Sequence, residues 1–352
     1  MSLIFLDSFA HYTQAQSNRK WTDGGVNAVG TSHGRGGIGA NIGTFGNVRK
    51  HFGRDDYTEM AAGIAHKPFG YANAPLSFDN SGDWQNPDLS CSLNHNGDGR
   101  LYLSTSIGSD SPGPYVLNLS QWYYLELHAT VSVTIVSTTP PVYNVAYSCN
   151  FRVNEAPVKS FSINQNFNGT TNMVGHGFES LGVTGAGGSF NADFDDLYVT
   201  DGELLGDVKV DCLFPNAAGD LSEWTPTAAP NWSNVEEHES DDDATTVQTD
   251  TVGKRDLYNL DDLAPGSYAI KGAQALWLTK KSDAGAAAIR GLWKSGGTLI
   301  EQSSGLNFFG DFYPTYANYQ YDIDAERKSL FTLADWTAAE INALQLGIKR
   351  TK

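Results

Sequence analysis

Two aspartates near the middle of the chain have the residue type and spacing for acid–base chemistry. Asp193 and Asp195 are separated by one apolar residue, and the alternating pattern of residues 190–202 predicts a β-strand with both carboxylates on one face. Some glycosidases hold an acid and a nucleophile about 5 Å apart in this way. Asp196 breaks the alternation, which predicts that the carboxylates face solvent or an ion. Because no sugar groove and no glutamate of raised pKa are evident, we interpret the pair as a ligand-binding candidate and predict no catalytic residue.

The densest run of charge in the chain is Asp241, Asp242 and Asp243, which follows closely after three glutamates. Such a run most often forms a solvated surface loop. The alternative is a Ca²⁺ site, because adjacent carboxylates on a loop suit hard cations. A bound Ca²⁺ would relieve the repulsion between the carboxylates and order the loop. No other cofactor is predicted.

Several tryptophans could stack on sugar rings if they are exposed: Trp21, Trp84, Trp122, Trp224 and Trp232. Most are expected to be core residues, because large aromatic side chains dominate the burial energy of a domain. Trp224 and Trp232 lie in the long loop that leads into the acidic run. We therefore keep these two as candidate ligand contacts.

Two further segments imitate known motifs. Residues 34–39 match the dinucleotide-binding pattern GxGxxG. A dinucleotide site also needs a buried strand before the pattern and a run of helix-forming residues after it, and the sequence shows neither. A flexible hairpin is therefore predicted. Residues 94–99 imitate the start of an EF-hand loop. Thr105 stands where that loop needs a bidentate glutamate, so a β-turn explains the segment without an ion.

Composition and charge exclude several classes of partner. The chain has 352 residues, a formal net charge of −17, 37 glycines and only three methionines. Phosphate binding needs clustered Lys and Arg, so a nucleic-acid partner is not expected, and neither is an anionic membrane surface. No stretch is long and apolar enough to predict membrane insertion.

The three cysteines, Cys91, Cys149 and Cys212, are far apart in the sequence and show no CxxC spacing. An odd number at such spacing predicts neither a disulfide framework nor a zinc site. The expected state is three small buried side chains in a reducing cytosol. Residues 1–7 lack the basic and long apolar regions of a signal peptide, so folding in a cytosol is expected.

The element pattern predicts an all-β protein of two β-sandwich or jelly-roll domains, 1–203 and 204–352, with one short helical turn near the C-terminus. Residues 122–136 give the strongest strand signal and pair with 142–153 in a hairpin. In the second domain, 208–213 is predicted to form the first strand. The helix signal lies within 333–346, with Thr337 or Asp335 as its cap, and it could equally be a turn before a last strand.

An aromatic cluster in the second domain is a candidate contact between copies of the chain. It contains Phe308, Phe309, Phe312 and Tyr313, with three further tyrosines close behind. The alternative is that these rings fill the core of the second sandwich, and the sequence favours neither. A homo-oligomer is expected, and this cluster is its candidate contact.

The second half of the chain resembles a family of virion proteins from tailed bacteriophages. The resemblance rests on Asp195-Asp196-Leu197-Tyr198-Val199, 205–210, Trp224-Thr225-Pro226, 231–237, Asp241-Asp242-Asp243, Asp256-Leu257-Tyr258, Trp336-Thr337 and 342–349. The first half, with Leu6-Asp7-Ser8-Phe9 and the closing Asp195-to-Val199 strand, is similar to concanavalin A-like (LamG-type) sandwiches. The resemblance implies a structural or host-contact protein of the particle and does not distinguish head from tail.

Three functions are therefore carried forward. The first is a non-enzymatic virion protein of the tail or tail-fibre apparatus, with lectin-like contact to host surface glycans. The second is a capsid decoration or head-spike protein, and the third is a glycan depolymerase. Other virion proteins are the expected partners in the first two, and the expected location is the virion, after synthesis in the bacterial host cytoplasm.

Overall fold

The computed structural model describes residues 1–24, 26–42, 47–71, 73–80, 89–168, 174–184, 192–301 and 313–352. The chain divides into two compact units. Phe5–Val210 and Met1 form the first unit, while Asp211–Lys352 and Ser2–Ile4 form the second. The division predicted from the sequence, after residue 203, lies a few residues earlier. Within the described residues, no helix is long and apolar enough to cross a membrane.

The described residues before residue 201 form fifteen strands and two 3₁₀-helices. The strands are β1 (Leu3–Asp7), β2 (Asp23–Gly24), β3 (Ala28–Gly30), β4 (Gly39–Ile42), β5 (Asn47–His51), β6 (Glu59–Pro68), β7 (Asn73–Asp79), β8 (Ser90–His95), β9 (Leu101–Thr105), β10 (Gly108–Ser109), β11 (Tyr123–Thr138), β12 (Pro141–Val153), β13 (Ala156–Asn168), β14 (Ser180–Thr184) and β15 (Ala192–Thr200). The 3₁₀-helices are Gln14–Arg19 and Thr31–His33.

These strands form two antiparallel sheets. One has the order β13-β12-β11-β6-β15-β4-β3, with β1 also pairing with β15, and the other has the order β10-β9-β8-β7-β14-β5-β2. Alternate residues of β8 and β12 are buried, as expected for strands with one face in a shared core. The two-sheet sandwich, which jelly-roll and lectin domains share, is confirmed. The predicted hairpin is also confirmed, because β11 pairs with β12 along most of its length.

A buried polar group fixes the turn that follows β1. The Asp7 carboxylate accepts hydrogen bonds from the Phe9 amide (2.8 Å), the Tyr12 hydroxyl (2.7 Å) and Trp21 Nε1 (2.9 Å). Lys20 Nζ lies 3.2 Å from the same carboxylate, and both side chains are fully buried. Burial of this charge is tolerated because it is paired and hydrogen-bonded.

The second unit contains β16 (Pro215–Ser222), β17 (Thr225–Pro226), β18 (Val247–Gln248), β19 (Arg255–Leu260), β20 (Ala273–Thr279), β21 (Ile289–Ser295), β22 (Thr298–Glu301), β23 (Gln320–Glu326), helix α1 (Ala338–Asn342) and β24 (Gln345–Arg350). A 3₁₀-helix covers Asn231–Asn234. A five-stranded sheet has the order β16-β19-β24-β21-β22, and β20 pairs with β23. β17 and β18 form a separate pair.

The β20–β23 pair packs on the five-stranded sheet and completes the second sandwich. Trp277 Nε1 on β20 donates to the Gly347 carbonyl oxygen at 2.7 Å, and Trp293 Nε1 on β21 donates to Asp324 at 2.8 Å. Thr337 caps α1 by accepting a hydrogen bond from the Glu340 amide, as the sequence predicts. The helical turn leads directly into β24, so the all-β class with one short helical turn is confirmed. The prediction of a strand at 208–213 is wrong, since the chain is irregular there.

Candidate functional site

The carboxylates singled out by sequence lie on β15, where the strand contains a β-bulge. Pairing between β15 and β6 shifts register between Asp195 and Tyr198, and Asp196 adopts a φ of 52°. Only 1% of Asp193 and 5% of Asp195 are exposed. The expectation that these carboxylates face solvent is therefore wrong. The bulge brings Asp196 to the same group of polar side chains, which we call the β15 acidic cluster (Asp193, Asp195 and Asp196).

Asp193 is bound by three polar side chains on neighbouring elements. Its Oδ1 atom lies 2.8 Å from His33 Nδ1 and 2.8 Å from Asn41 Nδ2. Its Oδ2 atom lies 3.5 Å from Lys67 Nζ. Both oxygens therefore have partners, which offsets the cost of burying this carboxylate.

Asp195 is held by backbone amides. Its Oδ2 atom accepts from the Arg35 amide at 2.8 Å, and its Oδ1 atom accepts from the Asp196 amide at 2.8 Å. Burial and the nearby Asp196 charge nevertheless raise the pKa of Asp195 to about 7. The two amide bonds favour the ionised form, but they do not outweigh desolvation.

Asp196 holds Arg35 and the end of the first unit together. Arg35 Nε donates to Asp196 Oδ2 at 3.0 Å, and the Val210 amide donates to Asp196 Oδ1 at 2.8 Å. The guanidinium also contacts the Asp207 carboxylate and donates to the Val208 carbonyl oxygen at 2.7 Å. Burial raises the pKa of Asp196 as well, although Arg35 opposes that shift. Residues 207–210 thus serve as hydrogen-bond partners rather than as the strand that their alternation predicts.

The glycine-rich segment at 34–39 forms the tight turn that contains Arg35. A Cβ atom on Gly34 would lie 2.1 Å from the Gly37 carbonyl oxygen, and one on Gly39 would lie 2.4 Å from the His33 carbonyl oxygen. Only glycine fits such close approaches. The segment leads into β4 and not into a helix, so it lacks the helix N-terminus on which a dinucleotide pyrophosphate is bound.

A second buried network lies beside the acidic cluster. Glu126 Oε1 accepts from the Tyr198 hydroxyl at 2.5 Å and from the Gly206 amide at 2.9 Å. The Leu205 amide in turn donates to the Tyr198 hydroxyl at 2.9 Å. Gly63 lies under the ring, since a Cβ atom there would be 2.2 Å from Tyr198 Cε1. Sequence reasoning missed this network, because nothing in the sequence around Glu126 indicates its distant partners.

The chemistry open to the acidic cluster follows from these bonds. A glycosidase needs one carboxyl group that reaches the leaving oxygen and another that reaches the anomeric carbon or a water molecule. Here the oxygens of Asp195 and Asp196 accept amide and guanidinium hydrogen bonds, and the cluster is covered by residues 33–35 and 207–210. The hydrogen bonds of the β15 acidic cluster therefore hold distant segments of the first unit together.

We expect Asp195 to make the first unit less stable as pH rises. The folded-state pKa of Asp195, about 7, lies above the unfolded value of about 3.9. Its favourable contribution is therefore complete below about pH 4 and is lost as pH rises towards 7. Between pH 5 and 8 the loss should be about 2 to 3 kcal/mol, and Asp195→Asn should abolish it.

Urea unfolding of the wild type and Asp195→Asn at both pH values measures this effect. Asp98→Asn, on an exposed turn, is the control for removal of one carboxylate. An equal pH dependence in wild type and Asp195→Asn would contradict the assignment.

The two tryptophan candidates lie in the second unit, whereas Asp193 and Asp195 lie in the first. Trp224 is partly buried against the second core, and its Nε1 atom donates to the Lys254 carbonyl oxygen at 3.1 Å. Trp232 is half-buried in the 3₁₀-helix Asn231–Asn234. Of the other tryptophans, Trp21 is a core residue, as predicted, and Trp84 lies outside the described residues. The four ligand-binding candidates are thus divided between the two units.

The acidic run does not form a converging set of cation ligands. The Asp241 carboxylate accepts two hydrogen bonds from Thr245, Asp242 contacts Ser240, and Asp243 accepts from the Tyr319 hydroxyl at 2.9 Å. In the described ranges, no group of three or more His, Cys, Asp or Glu side chains could hold a metal ion. The geometry gives the Ca²⁺ alternative for Asp241, Asp242 and Asp243 no support.

Tyr319 lies beside the acidic run, and we call this half-buried residue and the exposed Tyr313 and Tyr316 the tyrosine patch. Tyr313 is 63% exposed and Tyr316 is 55% exposed. Lys280 lies over the Tyr319 ring, 4.6 Å from its centroid, and also forms an ion pair with Asp243. Phe308, Phe309 and Phe312 of the predicted oligomer contact lie outside the described residues. For Tyr313, exposure rules out the core alternative, while its role as a contact stays a prediction.

Comparisons with known proteins bear on the fold alone. No family model matches the chain, and no curated protein does. The chain is similar to domain 4 of AbnA, a GH43 extracellular arabinanase from Geobacillus stearothermophilus, at 15% identity and a TM-score of 0.35, over 56% of this chain and 94% of that one. It is also similar to the exoplasmic/lumenal domain of VIP36, at 9% identity and a TM-score of 0.32, over 58% and 92%. A third similar structure is a heptameric SAP-like pentraxin from Limulus polyphemus, at 18% identity and a TM-score of 0.28, over 46% and 72%. At these values the likeness indicates neither an activity nor a ligand.

Proposed function

We propose that the protein is a non-enzymatic structural component of a tailed-bacteriophage virion, in the tail or tail-fibre apparatus, which contacts host surface glycans. The resemblance of residues 190–349 to virion proteins supports the location. Other virion proteins are its partners, and it is made in the cytoplasm of the bacterial host. The acidic surface, with a net charge of −17, suits a particle component that must not bind the packaged nucleic acid.

The observation that carries the non-enzymatic part of the proposal is the state of the β15 acidic cluster. Asp193 and Asp195 were the best candidates for an acid and a nucleophile, and both are buried and hydrogen-bonded within the fold. The raised pKa of Asp195 is a property that general acids share. A side chain that is 5% exposed and bound at both oxygens by backbone amides does not reach a polysaccharide.

The tyrosine patch is the part of the described surface that best suits a sugar ring. Tyrosine offers an apolar face for stacking and a hydroxyl for hydrogen bonding, and two of the three rings are more than half exposed. Lys280 and Asp243 stand at its side as polar groups that could bind sugar hydroxyls. We therefore assign the lectin-like contact to this patch rather than to Asp193, Asp195, Trp224 and Trp232.

Binding of the full chain to purified host surface polysaccharide tests this assignment by calorimetry. We expect binding without shortening of the polymer, and about a tenfold loss of affinity in Tyr313→Ala/Tyr316→Ala. Tyr268→Ala is the matched control, because Tyr268 is 44% exposed elsewhere in the same unit. Shortened polymer that disappears in Asp195→Ala would instead establish the depolymerase.

Labelled electron microscopy of intact particles tests the location. A few copies at the tail end are expected for host contact. Many copies over the shell, together with no glycan binding, would make the protein a decoration or head-spike protein. Absence of the chain from particles would contradict the virion assignment altogether.

A further inference from the structure

Within the described residues, the first unit leaves one long sheet edge uncovered. In this part of the chain the two strand orders have four ends, and three of these, β3, β10 and β2, contain only two or three residues. A further strand, β1, lies off these orders, pairs with β15 and has five residues. The fourth end is β13, which runs for 13 residues. Short edge strands are a common protection against pairing with another chain, because a long edge presents a row of unpaired amides and carbonyls. β13 lacks that protection.

The features that usually block an edge are confined to the first residues of β13. Pro157 removes one amide donor from the edge. The Lys159 ammonium forms an ion pair with the Asp110 carboxylate, 2.6 Å away. From Ser160 to Asn168 the strand contains neither a charged residue nor a proline. Across the described part of the chain, no backbone hydrogen bond reaches the outer edge of this segment. Nine neutral residues are therefore available for pairing.

The two faces of this segment differ in character. One face carries the exposed polar residues Ser160, Ser162, Asn164 and Asn166, and the other carries the half-buried apolar residues Phe161, Ile163 and Phe167 together with the exposed Gln165. The polar row continues across β12, where Asn144 Nδ2 donates to Asn166 Oδ1 at 2.8 Å. A strand added at this edge would thus extend both an apolar face and a polar amide face.

We propose that β13 pairs with β13 of a second copy of this chain, antiparallel, about a two-fold axis at Asn164. In this register Phe161 lies opposite the partner copy's Phe167, and Ser162 lies opposite Asn166. Residues of equal parity meet, so Phe161 faces Phe167 on one face, with Ile163 opposite Gln165, and polar side chains face polar ones on the other. The paired segment spans about 30 Å, and each phenylalanine pair adds a cross-strand aromatic contact.

The charge distribution favours a second copy of this chain as the partner of the β13 edge. Two copies, each with a net charge of −17, repel one another over most of their surfaces. Residues 160–168 form a neutral strip, so this edge allows approach without bringing like charges together. The strip is also self-complementary, a condition that an isologous contact requires and that a foreign strand need not meet. This pairing does not depend on the proposed virion role.

Light scattering and sedimentation velocity of the full chain test the pairing. We expect a dimer at about 100 μM, since strand-edge contacts of this size are of moderate affinity. Ser162→Glu/Asn166→Glu places carboxylates opposite one another in the proposed register and should weaken the dimer at least about tenfold. Ser132→Glu/Thr134→Glu is the matched control, because both residues are exposed on β11, two strands from the edge.

A cysteine at the proposed axis tests the register. Asn164→Cys in a Cys212→Ser background should form a disulfide-linked dimer under mild oxidation, and Ser132→Cys in the same background should not. A wild-type chain that is monomeric at this concentration overturns the proposal. So does a dimer that survives the Ser162→Glu/Asn166→Glu change, which would assign the contact to another surface, such as the tyrosine patch.

Discussion

Lowering the pH from 7 to 4.5 should cost the wild-type first unit about 2 to 3 kcal/mol more stability than it costs His95→Phe. His95 lies on β8 and His66 lies on β6, so the two rings face each other from opposite sheets of the sandwich. Their centroids are 5.9 Å apart and their planes differ by 24°. Both side chains are buried.

The surroundings of this histidine pair offer little to a positive charge. Phe194 lies against His66 at 4.9 Å and Tyr71 lies against His95 at 6.1 Å. Neither ring nitrogen of His66 has a hydrogen-bond partner among the described residues, and neither does Nδ1 of His95. Burial lowers the pKa of His95 to about 4. Burial, and then the neighbouring His95, hold the pKa of His66 well below its usual range.

The direction of the effect follows from linkage. The unfolded histidine titrates near 6.5, so the stability contributed by the neutral folded form is complete above that pH. It is lost as the pH falls towards the folded value of about 4, because the unfolded chain then binds protons that the folded chain does not. Asp195 acts in the opposite sense over part of this range, but its contribution is the same in both proteins and cancels in the comparison.

Hydrogen exchange of peptides covering β6 and β8, followed by mass spectrometry at the two pH values, measures the effect locally. Peptides from the second unit provide an internal reference. His176→Phe is the matched control, because this side chain is one third exposed and paired with Asp55. If His95→Phe loses as much protection in acid as the wild type does, the histidine pair does not cause the sensitivity.

The sequence predicts the strands whose own residues favour them and misses those that depend on distant partners. The β11–β12 hairpin follows from two long runs rich in β-branched and aromatic residues. β16 reads Pro-Asn-Ala-Ala-Gly-Asp-Leu-Ser and has no such signal. It forms because β19 pairs with it, and a Cβ atom on Gly219 would lie 2.5 Å from the Leu257 carbonyl oxygen. A close backbone approach of this kind is not visible in one sequence.

In the β15 acidic cluster, too, the sequence predicts the local features and misses those that depend on distant residues. The alternation around Asp193 and Asp195 correctly predicts a strand with both side chains on one face, but not their burial. That burial depends on His33 and Arg35, each 160 residues away along the chain. The local alternation of apolar and polar residues predicts which face of a strand a residue occupies. Tertiary contacts determine what covers that face, and a single sequence does not reveal them.

Refolding in a glutathione redox buffer should link Cys91 to Cys149 and raise the melting temperature of the first unit by about 10 °C. These two cysteines are far apart in sequence, and neither their spacing nor the odd number of cysteines predicts a pair. Cys91 lies on β8 and Cys149 on β12, in opposite sheets, and both are fully buried. Their sulfur atoms are 3.0 Å apart, with both thiols free.

The chemistry requires an oxidant, which the buffer provides as glutathione disulfide. One cysteine thiolate attacks that disulfide and releases one glutathione thiolate. The second cysteine then displaces the other glutathione, so that two protein thiols are oxidised and one disulfide is reduced. Burial and the neighbouring Cys149 raise the pKa of Cys91, so the folded thiol should react slowly and the bond should form mainly during refolding.

The size of the effect follows from the length of the closed loop. The two cysteines are separated by 58 positions, and closing such a loop in the unfolded chain gives about 4 kcal/mol of stabilisation. Cys149→Ala should show no shift in melting temperature between oxidised and reduced samples. Cys212→Ala, which removes the partly exposed cysteine, should retain the full shift.

Peptide mapping without reductant identifies the bond directly. The expected species joins the peptide with Cys91 to the peptide with Cys149 and is two hydrogens lighter than the reduced pair. A link from either cysteine to Cys212 would contradict the prediction, as would a linked protein that melts no higher than the reduced one. In that last case the two sheets would have to strain to bring the sulfur atoms to bonding distance, and the strain would offset the entropy gained from closing the loop.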